Sequence, residues 1–395
     1  MIGIAVLAAT YILSQFYRTF LAVLTPALQA DIGATKTDLS VASGAWFITF
    51  ALMQFVVGVC LDRFGPRRTA SVILALFGAG GAVLFALAGA PWMIVIAMAM
   101  IGIGCSPVLM ASYYIIAKTY SPARFAVLAS WIIAIGMIGN VIGSSPMANA
   151  AEAFGWRAVM LAFAAATLLA AIVLYLAIRD PEPEEHDHGA DSGFSGYVEL
   201  AKMTRLWPVL PMMTVCYVAA AGIRGLWAGP YVADVYDADA LTIGTVTFYM
   251  ALAMVAGSLV YGPLDALFGT RKWVNVWGNV ICVAACAWLA FDPQSTILAA
   301  TAALVVIGLS GSSFAVVMAH GRAFIPQHMT GRGVTLMNFF GIGGVGLMQV
   351  ATGGVVAVSA DPAAPQTAYA ALFGFYAIVI AAALAIYLLS RDMKP

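Results

Sequence analysis

Residues 58–68 read Gly-Val-Cys-Leu-Asp-Arg-Phe-Gly-Pro-Arg-Arg, and this charged stretch joins two long apolar runs. The runs cover about residues 39–61 and 69–89, and each is long enough to cross a hydrocarbon core of about 30 Å as a helix. Because backbone groups in lipid must be hydrogen-bonded internally, such runs form helices. The stretch therefore predicts two membrane-spanning helices joined by a tight basic loop.

The composition of the whole chain agrees with this local pattern. Of 395 residues, 63% are apolar and 9% are charged, and the formal net charge is zero. A soluble protein of this composition would expose far more apolar surface than water tolerates. We therefore predict an integral membrane protein whose surroundings are the lipid bilayer, and we expect no nucleic-acid partner.

The sequence carries no pattern typical of an enzyme. We find no nucleophile–base pair, no nucleotide-binding loop and no metal-ligand cluster. The five cysteines all fall within apolar runs without metal-ligand spacing, so we interpret them as small buried residues. We expect no enzyme activity, no metal and no cofactor.

Apolar runs of about twenty residues recur along the chain and predict twelve spans, numbered here in chain order. They lie at about residues 4–28, 39–61, 69–89, 92–117, 125–148, 158–178, 208–231, 241–264, 273–291, 295–320, 333–356 and 367–389. If the N-terminus is cytoplasmic, Lys36 and Arg157 are the only basic residues in the outer joints. This excess of positive charge inside predicts a multi-pass protein of the plasma (inner) membrane with both termini cytoplasmic.

The longest joint, residues 179–207, divides the chain into halves. It begins with an acidic, histidine-bearing run whose composition is typical of a solvated flexible linker. His186 and His188 could bind a metal, but the linker interpretation is favoured. We predict an N-terminal six-helix lobe over residues 1–178, a cytoplasmic interlobe linker over 179–207 and a C-terminal six-helix lobe over 208–395.

The halves also repeat a pattern, because the joint after span 2 has a degenerate counterpart at residues 265–272, after span 8. Residues 58–68 resemble the loop between the second and third spans of the major facilitator superfamily, and the resemblance extends over essentially the whole chain. It implies an all-α integral membrane protein with twelve transmembrane helices, arranged as two six-helix lobes around a central cavity. It also implies transport by alternating access.

In that family the loop is thought to stabilise the outward-open state and to control the transport cycle. The resemblance therefore implies gating or conformational roles for a set of loop residues. They are Gly58, Asp62, Arg63, Gly65, Arg67 and Arg68. A glycine that ends a helix permits close backbone approach, and Asp62 can cap the next helix or pair with a base. The alternative is that these charges only set membrane orientation.

Two arginines lie inside predicted spans, Arg18 in span 1 and Arg224 in span 7. An arginine at the centre of a membrane helix costs roughly 2.5 to 3.5 kcal/mol on insertion scales, so it usually faces protein or a wet cavity. We found no acidic residue clearly in the middle of a span. Two buried cations without a buried anion indicate a cavity that accepts an anionic ligand, and the planar guanidinium matches carboxylate, sulfonate or phosphate.

Polar and aromatic residues on the arginine faces, and polar groups in other spans, complete the candidate substrate-binding set. It consists of Arg18, Arg224, Gln15, Tyr217, Trp227, Tyr231, Tyr114, Asn338 and Gln349. Paired arginines on spans 1 and 7 are similar to the arrangement in the organophosphate/phosphate exchangers of the superfamily. The alternative is structural, with each arginine snorkelling to the membrane surface or paired with an aspartate such as Asp31 or Asp234.

His320, near the inner end of span 10, is the only histidine at membrane level and is a candidate for proton coupling. An interfacial histidine that hydrogen-bonds to the backbone is the alternative. Proton symport, anion exchange and facilitated diffusion all remain open.

We therefore predict a secondary active or facilitative transporter of a small organic anion, acting as a monomer. A coupling proton or a counter-anion is a further candidate partner. Span 5 lacks the Gly-Pro and double-glycine arrangement of drug/proton antiporters, which argues against multidrug efflux. A carrier of neutral or lipophilic solutes is the second hypothesis, and a non-transporting membrane receptor is the alternative from another class.

Overall fold

A computed structural model describes residues 2–119, 128, 131–178, 180, 199–200, 202–326, 330–361 and 363–393. Most of the predicted linker and the side chain of Asp62 lie outside the described part. No strand occurs in the part of the chain that is described.

Ten described helices are long and apolar enough to cross a membrane. They are Lys36–Leu61, Arg63–Ala86, Pro91–Ile116, Trp156–Ala177, Val209–Tyr236, Ala240–Phe268, Arg271–Phe291, Ile297–Arg322, Gly333–Val358 and Gln366–Tyr387. Two bent pairs, Ala5–Phe16 with Leu21–Ile32 and Trp131–Ile142 with Ser145–Phe154, correspond to spans 1 and 5. With each pair counted as one span there are twelve, in agreement with the predicted all-α membrane fold.

Several span ends follow directly from the local sequence. Span 1 ends at Gly33, whose left-handed backbone (φ 66°) caps the helix. Span 2 begins at a capping box, in which the Thr35 hydroxyl accepts from the Asp38 amide while the Asp38 carboxylate accepts from Thr35. Spans 2 and 3 meet at Gly65, the single non-helical residue (φ 77°, ψ 161°) between Lys36 and Ile73. The predicted tight joint is therefore a one-residue break.

The chain forms two compact units, and each is described here by itself. The first comprises Met1–Glu182 with Gly225–Phe248, and the second comprises Pro183–Arg224 with Tyr249–Pro395. The second half of span 7 and the first part of span 8 thus pack with spans 1 to 6. The predicted lobe boundaries at residues 178 and 208 stay a prediction.

Small residues bring spans 2 and 4 together in the first unit. A Cβ atom on Gly102 would overlap the backbone carbonyl of Trp46 and the hydroxyl of Thr49. The same Thr49 hydroxyl donates to the carbonyl of Ala99, 2.9 Å away. Because the two backbones touch at this level, the side chains that project from span 2 beside them are held in fixed positions.

In the second unit a chain of polar side chains is buried among apolar helices. The Asn279 amide donates to the Ser313 hydroxyl (3.2 Å), and the Asn275 amide donates to the Tyr387 hydroxyl (3.1 Å). The Tyr261 hydroxyl donates to the carbonyl of Ser310 (2.9 Å). These bonds connect spans 8, 9, 10 and 12 and give their packing a specific register.

We expect Gly102→Leu to destabilise the protein, because the added side chain must push spans 2 and 4 apart. Overpacking of this kind costs about 1–3 kcal/mol, which should lower the midpoint of thermal unfolding in detergent. Gly354→Ala is the control, since a Cβ atom there meets nothing within 4 Å. Equal midpoints for Gly102→Leu and the parent protein would contradict the close approach.

Candidate functional site

Arg18 lies at a break in span 1. Residues 17–20 form a turn between the helices Ile2–Phe16 and Leu21–Ile32, and the two parts of the span meet at 49°. The Thr19 hydroxyl donates to the carbonyl of Phe16 (3.2 Å), a local bond that competes with regular helix pairing. The break places the half-buried Arg18 side chain at membrane depth and away from a regular helical face.

Two aromatic rings of span 2 hold the Arg18 guanidinium. Its central carbon lies 5.0 Å from the ring centroid of Trp46 and 4.9 Å from that of Phe50. The two rings are nearly parallel, with centroids 5.1 Å apart and an interplanar angle of 15°. A cation over such faces gains about 0.5–1 kcal/mol when exposed and about 2 kcal/mol when desolvated, and the half-buried Arg18 lies between these cases. Neither Trp46 nor Phe50 belongs to the predicted substrate-binding set, although their spacing of four puts both rings on one helical face.

No carboxylate forms an ion pair with Arg18 among the described residues, and its buried Nε atom has no hydrogen-bond partner there. The aspartates considered as partners are engaged elsewhere. Asp31 accepts from the Trp156 indole and from the Arg157 guanidinium, both at 2.8 Å, and Asp234 pairs with Lys36. Arg18 is therefore stabilised by aromatic faces and retains hydrogen-bonding capacity for an anion.

Gln15 lies one helical turn before Arg18 and is buried. Its side-chain Nε2 atom donates to the hydroxyl of Tyr11 (2.9 Å). Its backbone carbonyl accepts from the backbone amide of Arg18 (3.3 Å). The bond to Arg18 joins the two backbones and the Gln15 side chain contacts Tyr11, so the place of Gln15 in the substrate site stays a prediction.

Arg224 also lies at a helical irregularity. Residues Ile223–Trp227 form a π-helical segment, and the Arg224 side chain is buried. The Gln349 amide donates to the carbonyl of Gly222 (3.1 Å) and so connects span 11 to this segment. Tyr217, which interacts electrostatically with Arg224, packs edge-on against Phe314 with ring centroids 5.9 Å apart. π-Bulges occur frequently at functional sites, because the extra residue redirects a side chain.

Trp227 and Tyr231 are buried in the first unit, whereas Tyr217 and Arg224 belong to the second. The Tyr231 hydroxyl lies 3.2 Å from the Tyr236 hydroxyl. Beside Trp227, the backbone of Gly229 packs directly on Ala22 of span 1. The straight helical face drawn through Arg224 in the sequence is thus interrupted by the π-helical segment.

The structure does not show Tyr114 in contact with Arg18. Tyr114 packs against the apolar cluster of the first unit, and its ring lies 5.8 Å from the Lys118 ammonium. Asn338 is half-buried on span 11.

His320 is buried and has a contact at each ring nitrogen. Its Nδ1 atom lies 2.6 Å from the Tyr387 hydroxyl, and its Nε2 atom lies 2.9 Å from the carbonyl of Arg391. The Tyr387 hydroxyl also accepts from Asn275 (3.1 Å). A neutral imidazole with its proton on Nε2 satisfies every one of these bonds. His320 thus connects span 10 to the segment that follows span 12.

The joint between spans 2 and 3 is held by a residue that the sequence did not single out. The Asp180 carboxylate accepts from the Arg67 amide (2.8 Å), and a Cβ atom on Gly65 would lie 2.6 Å from the same carboxylate. The Arg67 side chain donates to the carbonyl of Tyr175 (2.7 Å), and its guanidinium lies 4.1 Å from the Tyr175 ring centroid. Gly65 and Arg67 therefore pack against the end of span 6.

The other predicted gating residues lie at the surface of this joint. Arg63 is exposed with its guanidinium 5.4 Å from the Phe64 ring centroid, and Arg68 is exposed. A Cβ atom on Gly58 would meet nothing within 4 Å, so the close backbone approach expected at this glycine does not occur. The close contact in this joint is that of the Asp180 carboxylate with Gly65.

The second unit repeats the capping arrangement of the first. The Asp392 carboxylate accepts from the Lys272 amide (3.1 Å) and from the Thr270 hydroxyl at the start of span 9. Lys272 donates to the carbonyls of Leu388 and Ser390, each 2.7 Å away. In both units an aspartate that follows the last span caps the helix after the basic joint.

The family description "Major Facilitator Superfamily" matches residues 7–229. The membrane sensor protein UhpC of Salmonella typhimurium is 24% identical, over 73% of this chain and 74% of its own length. The fosmidomycin resistance protein of Escherichia coli is 23% identical (86% and 83%), and the probable sulfoacetate transporter SauU of Cupriavidus necator is 22% identical (78% and 75%). Among solved structures, a bacterial homolog of the human lysosomal transporter Spinster superposes with a TM-score of 0.74, at 16% identity over 98% of this chain and 96% of its own.

We expect Asp180→Ala to lower the thermal stability of the protein, because the Arg67 amide at the start of span 3 loses its acceptor. Loss of a capping acceptor costs about 1 kcal/mol. Asp180→Asn is the matched control, since its amide oxygen can still accept, and its unfolding midpoint should stay near that of the parent. A midpoint for Asp180→Ala that equals that of Asp180→Asn would show that the cap contributes nothing.

Proposed function

The chain belongs to the Major Facilitator Superfamily, and from that premise we propose that it moves a small organic anion across the membrane by alternating access. It is a multi-pass membrane protein of a transporter family and not an enzyme. The observation that carries the choice of an anion is the Arg18 guanidinium, which contacts the rings of Trp46 and Phe50 and has no carboxylate partner in the described part of the chain. A relative named for sulfoacetate, itself an organic anion, supports the same choice.

In this proposal Arg18 binds the charged group of the substrate. The Trp46 and Phe50 centroids are 5.1 Å apart and lie 5.0 and 4.9 Å from the guanidinium carbon, so the guanidinium lies beside both rings and its N–H groups are left to donate hydrogen bonds. Charge-assisted hydrogen bonds of this kind are worth about 1.5–3 kcal/mol each. Gln15 lies within one turn and belongs to the same site.

We assign Arg224 to a second contact with the substrate. Its position in a π-helical segment, its burial and its proximity to Tyr217 support this role. Trp227, Tyr231, Gln349, Asn338 and Tyr114 stay candidates for the substrate site, and the Gln349 bond to Gly222 supports a role in holding the segment around Arg224.

We also propose that the joint between spans 2 and 3 regulates the conformational cycle. The residues concerned are Gly58, Asp62, Arg63, Gly65, Arg67 and Arg68. The contacts of Gly65 and Arg67 with Asp180 and Tyr175 support this proposal, because any movement of the joint must break or carry along these bonds. Division of the chain into lobes at residues 178 and 208 belongs to the same proposal.

The orientation and the assembly state are proposed from the charge pattern and the family. Basic residues are in excess in the joints that follow the even-numbered spans, and this excess supports cytoplasmic termini in an inner membrane. We propose a monomer, because one chain already contains both six-span repeats between which a substrate would bind. For coupling we propose anion exchange or facilitated diffusion. His320 is better suited to a structural role than to proton transfer, because both of its ring nitrogens are engaged.

A second function is favoured by one specific observation. The relative UhpC is named a membrane sensor, so a receptor that binds an anion without transporting it is the competing hypothesis. Flux measurements on reconstituted protein separate the two, because a receptor binds the anion but gives no uptake above that of empty vesicles.

We expect Arg18→Ala to reduce anion uptake into proteoliposomes by about tenfold or more, because the substrate loses charge-assisted hydrogen bonds worth about 1.5–3 kcal/mol. The probes are labelled carboxylates, sulfonates and phosphate esters, sulfoacetate among them. Arg18→Lys should recover part of the uptake, since the charge is kept but the planar fork is lost.

Arg157→Ala is the matched arginine control for this experiment. Arg157 is partly exposed and pairs with Asp31, so its removal should leave uptake close to that of the parent. Normal uptake of the same anions by Arg18→Ala would rule out the proposed role of Arg18.

We expect His320→Gln to leave the pH dependence of uptake unchanged and to lower the thermal unfolding midpoint, because the variant loses part of the network around Tyr387 and Arg391. Uptake is measured across pH 5.5 to 8 alongside thermal unfolding. If the pH dependence of uptake is lost in His320→Gln, His320 takes part in proton coupling and the structural role is wrong.

A further inference from the structure

Spans 1 and 7 pack against each other in the first unit, from Arg18 outward. A Cβ atom added to Gly225 of span 7 would lie 2.9 Å from the backbone carbonyl oxygen of Arg18, and the backbone of Gly229 packs directly on the carbonyl of Ala22, one helical turn further on. A spacing of four between small residues lets two membrane helices approach until their backbones touch. At both levels the two spans are therefore in backbone contact.

Span 8 makes a similar contact with span 5. A Cβ atom added to Gly244, near the start of span 8, would lie 3.0 Å from the Cα atom of Ser145 and 2.9 Å from the Cβ atom of Ala148. Ala148 is buried in this contact. We call the contacts of Gly225, Gly229 and Gly244 the outer seam, because the proposed orientation places them toward the outer side of the membrane.

An ion pair lies at the outer end of the seam between spans 1 and 7. Lys36, the first residue of span 2, pairs with Asp234 in the last turn of span 7, and the two side chains are 27% and 25% exposed. Neither charge suits its own helix, because a helix N-terminus disfavours a cation and a C-terminus disfavours an anion. The pair therefore contributes to the contact between the two spans and not to the stability of either helix alone.

We propose that the Lys36–Asp234 ion pair stabilises the closed state of the outer seam and has to break when the seam opens. The inference rests on the proposed function, because alternating access requires the two sequence halves to separate on one side of the membrane in each cycle. Lys36 lies in the first half of the sequence and Asp234 in the second.

The partial exposure of the pair suits a contact that forms and breaks repeatedly. Water can solvate both charges as soon as they separate, so the free-energy cost of opening stays small. A fully buried pair would instead leave two desolvated charges behind, which is strongly unfavourable. The glycine contacts give the seam its close fit, and the ion pair biases the seam toward the closed state.

A second outer ion pair provides a matched comparison. Arg157 of span 6 pairs with Asp31 of span 1, and these charges also lie in the first turn and the last turn of their helices. Both partners belong to the first half of the sequence, however, so this pair can stay intact while the seam opens. The two pairs thus separate an effect on the seam from the effect of losing any outer ion pair.

The test measures the exposure of a thiol placed in the seam. Ala148→Cys puts a cysteine in the buried contact with Gly244, and the purified full-length protein with this change is the reference. Labelling of residue 148 by a membrane-impermeant maleimide is followed by mass spectrometry. We expect Lys36→Ala and Asp234→Ala each to raise the labelling rate by about two- to fivefold, the change in an equilibrium that a partly exposed ion pair provides.

Two controls identify the ion pair as the cause. The charge-swapped variant, Lys36→Asp with Asp234→Lys, should label near the reference rate, because it restores an attractive pair. Arg157→Ala should also label near the reference rate. Labelling of Cys286, which is buried in the second unit, reports unfolding and should stay absent in every variant.

Salt provides a second measurement that leaves the ion pair unchanged. High ionic strength screens a partly exposed pair, so labelling of the reference should rise between about 20 mM and about 500 mM potassium chloride. Lys36→Ala has no pair to screen, and its labelling rate should not respond to salt.

The outcomes distinguish this inference from the function on which it rests. Labelling of Lys36→Ala at the reference rate, or an equal increase in Arg157→Ala, would overturn the role of the Lys36–Asp234 pair, and anion uptake by the parent protein would still support transport. An absence of uptake, with labelling that rises in Lys36→Ala and Asp234→Ala alone, would overturn transport and retain the pair as the contact that closes the seam.

Discussion

A positive charge at membrane depth has to be stabilised by the protein itself, and the contact of Arg18 with Trp46 and Phe50 meets that requirement in this chain. The aromatic faces stabilise the cation without neutralising it, unlike a carboxylate. The arginine therefore keeps its charge and its hydrogen-bonding edge. Anion recognition depends on this difference, because an arginine already paired with an aspartate would have its charge neutralised and its N–H donors engaged.

The packing of the neighbouring helices holds span 2 in place beside Arg18. Span 2 approaches span 4 at Gly102, and the Thr49 hydroxyl bonds across the two helices at the level of Trp46. The break at residues 17–20 directs Arg18 toward the rings. Span 7 has its own irregularity at Arg224, so each of the two intramembrane arginines lies where regular helical geometry is interrupted. Backbone irregularity of this kind at membrane depth is tolerated where protein or a cavity surrounds it.

The particular elements differ in how far the sequence could predict them. The basic joint at residues 62–68 was recognisable because glycine, proline and adjacent charges act within a few residues. The cap that Asp180 provides was not, since it lies more than a hundred residues from Arg67. The face drawn through Arg224 assumed a straight α-helix, whereas the π-helical segment Ile223–Trp227 shifts its phase. Trp227 and Tyr231 also belong to a different compact unit from Arg224. Tyr114 was selected for its polarity alone, and it packs in an apolar cluster.

The sequence predicted the membrane class, the twelve spans, the family resemblance and the two arginines within spans. These features depend on hydrophobicity, charge and short motifs, which are local properties of the chain. The folded structure was needed to show that Trp46 and Phe50 contact Arg18 and that Asp31 pairs with Arg157. Such contacts depend on which helices become neighbours and on the phase of each helix after a break. A pattern of residue types along one chain does not specify either property.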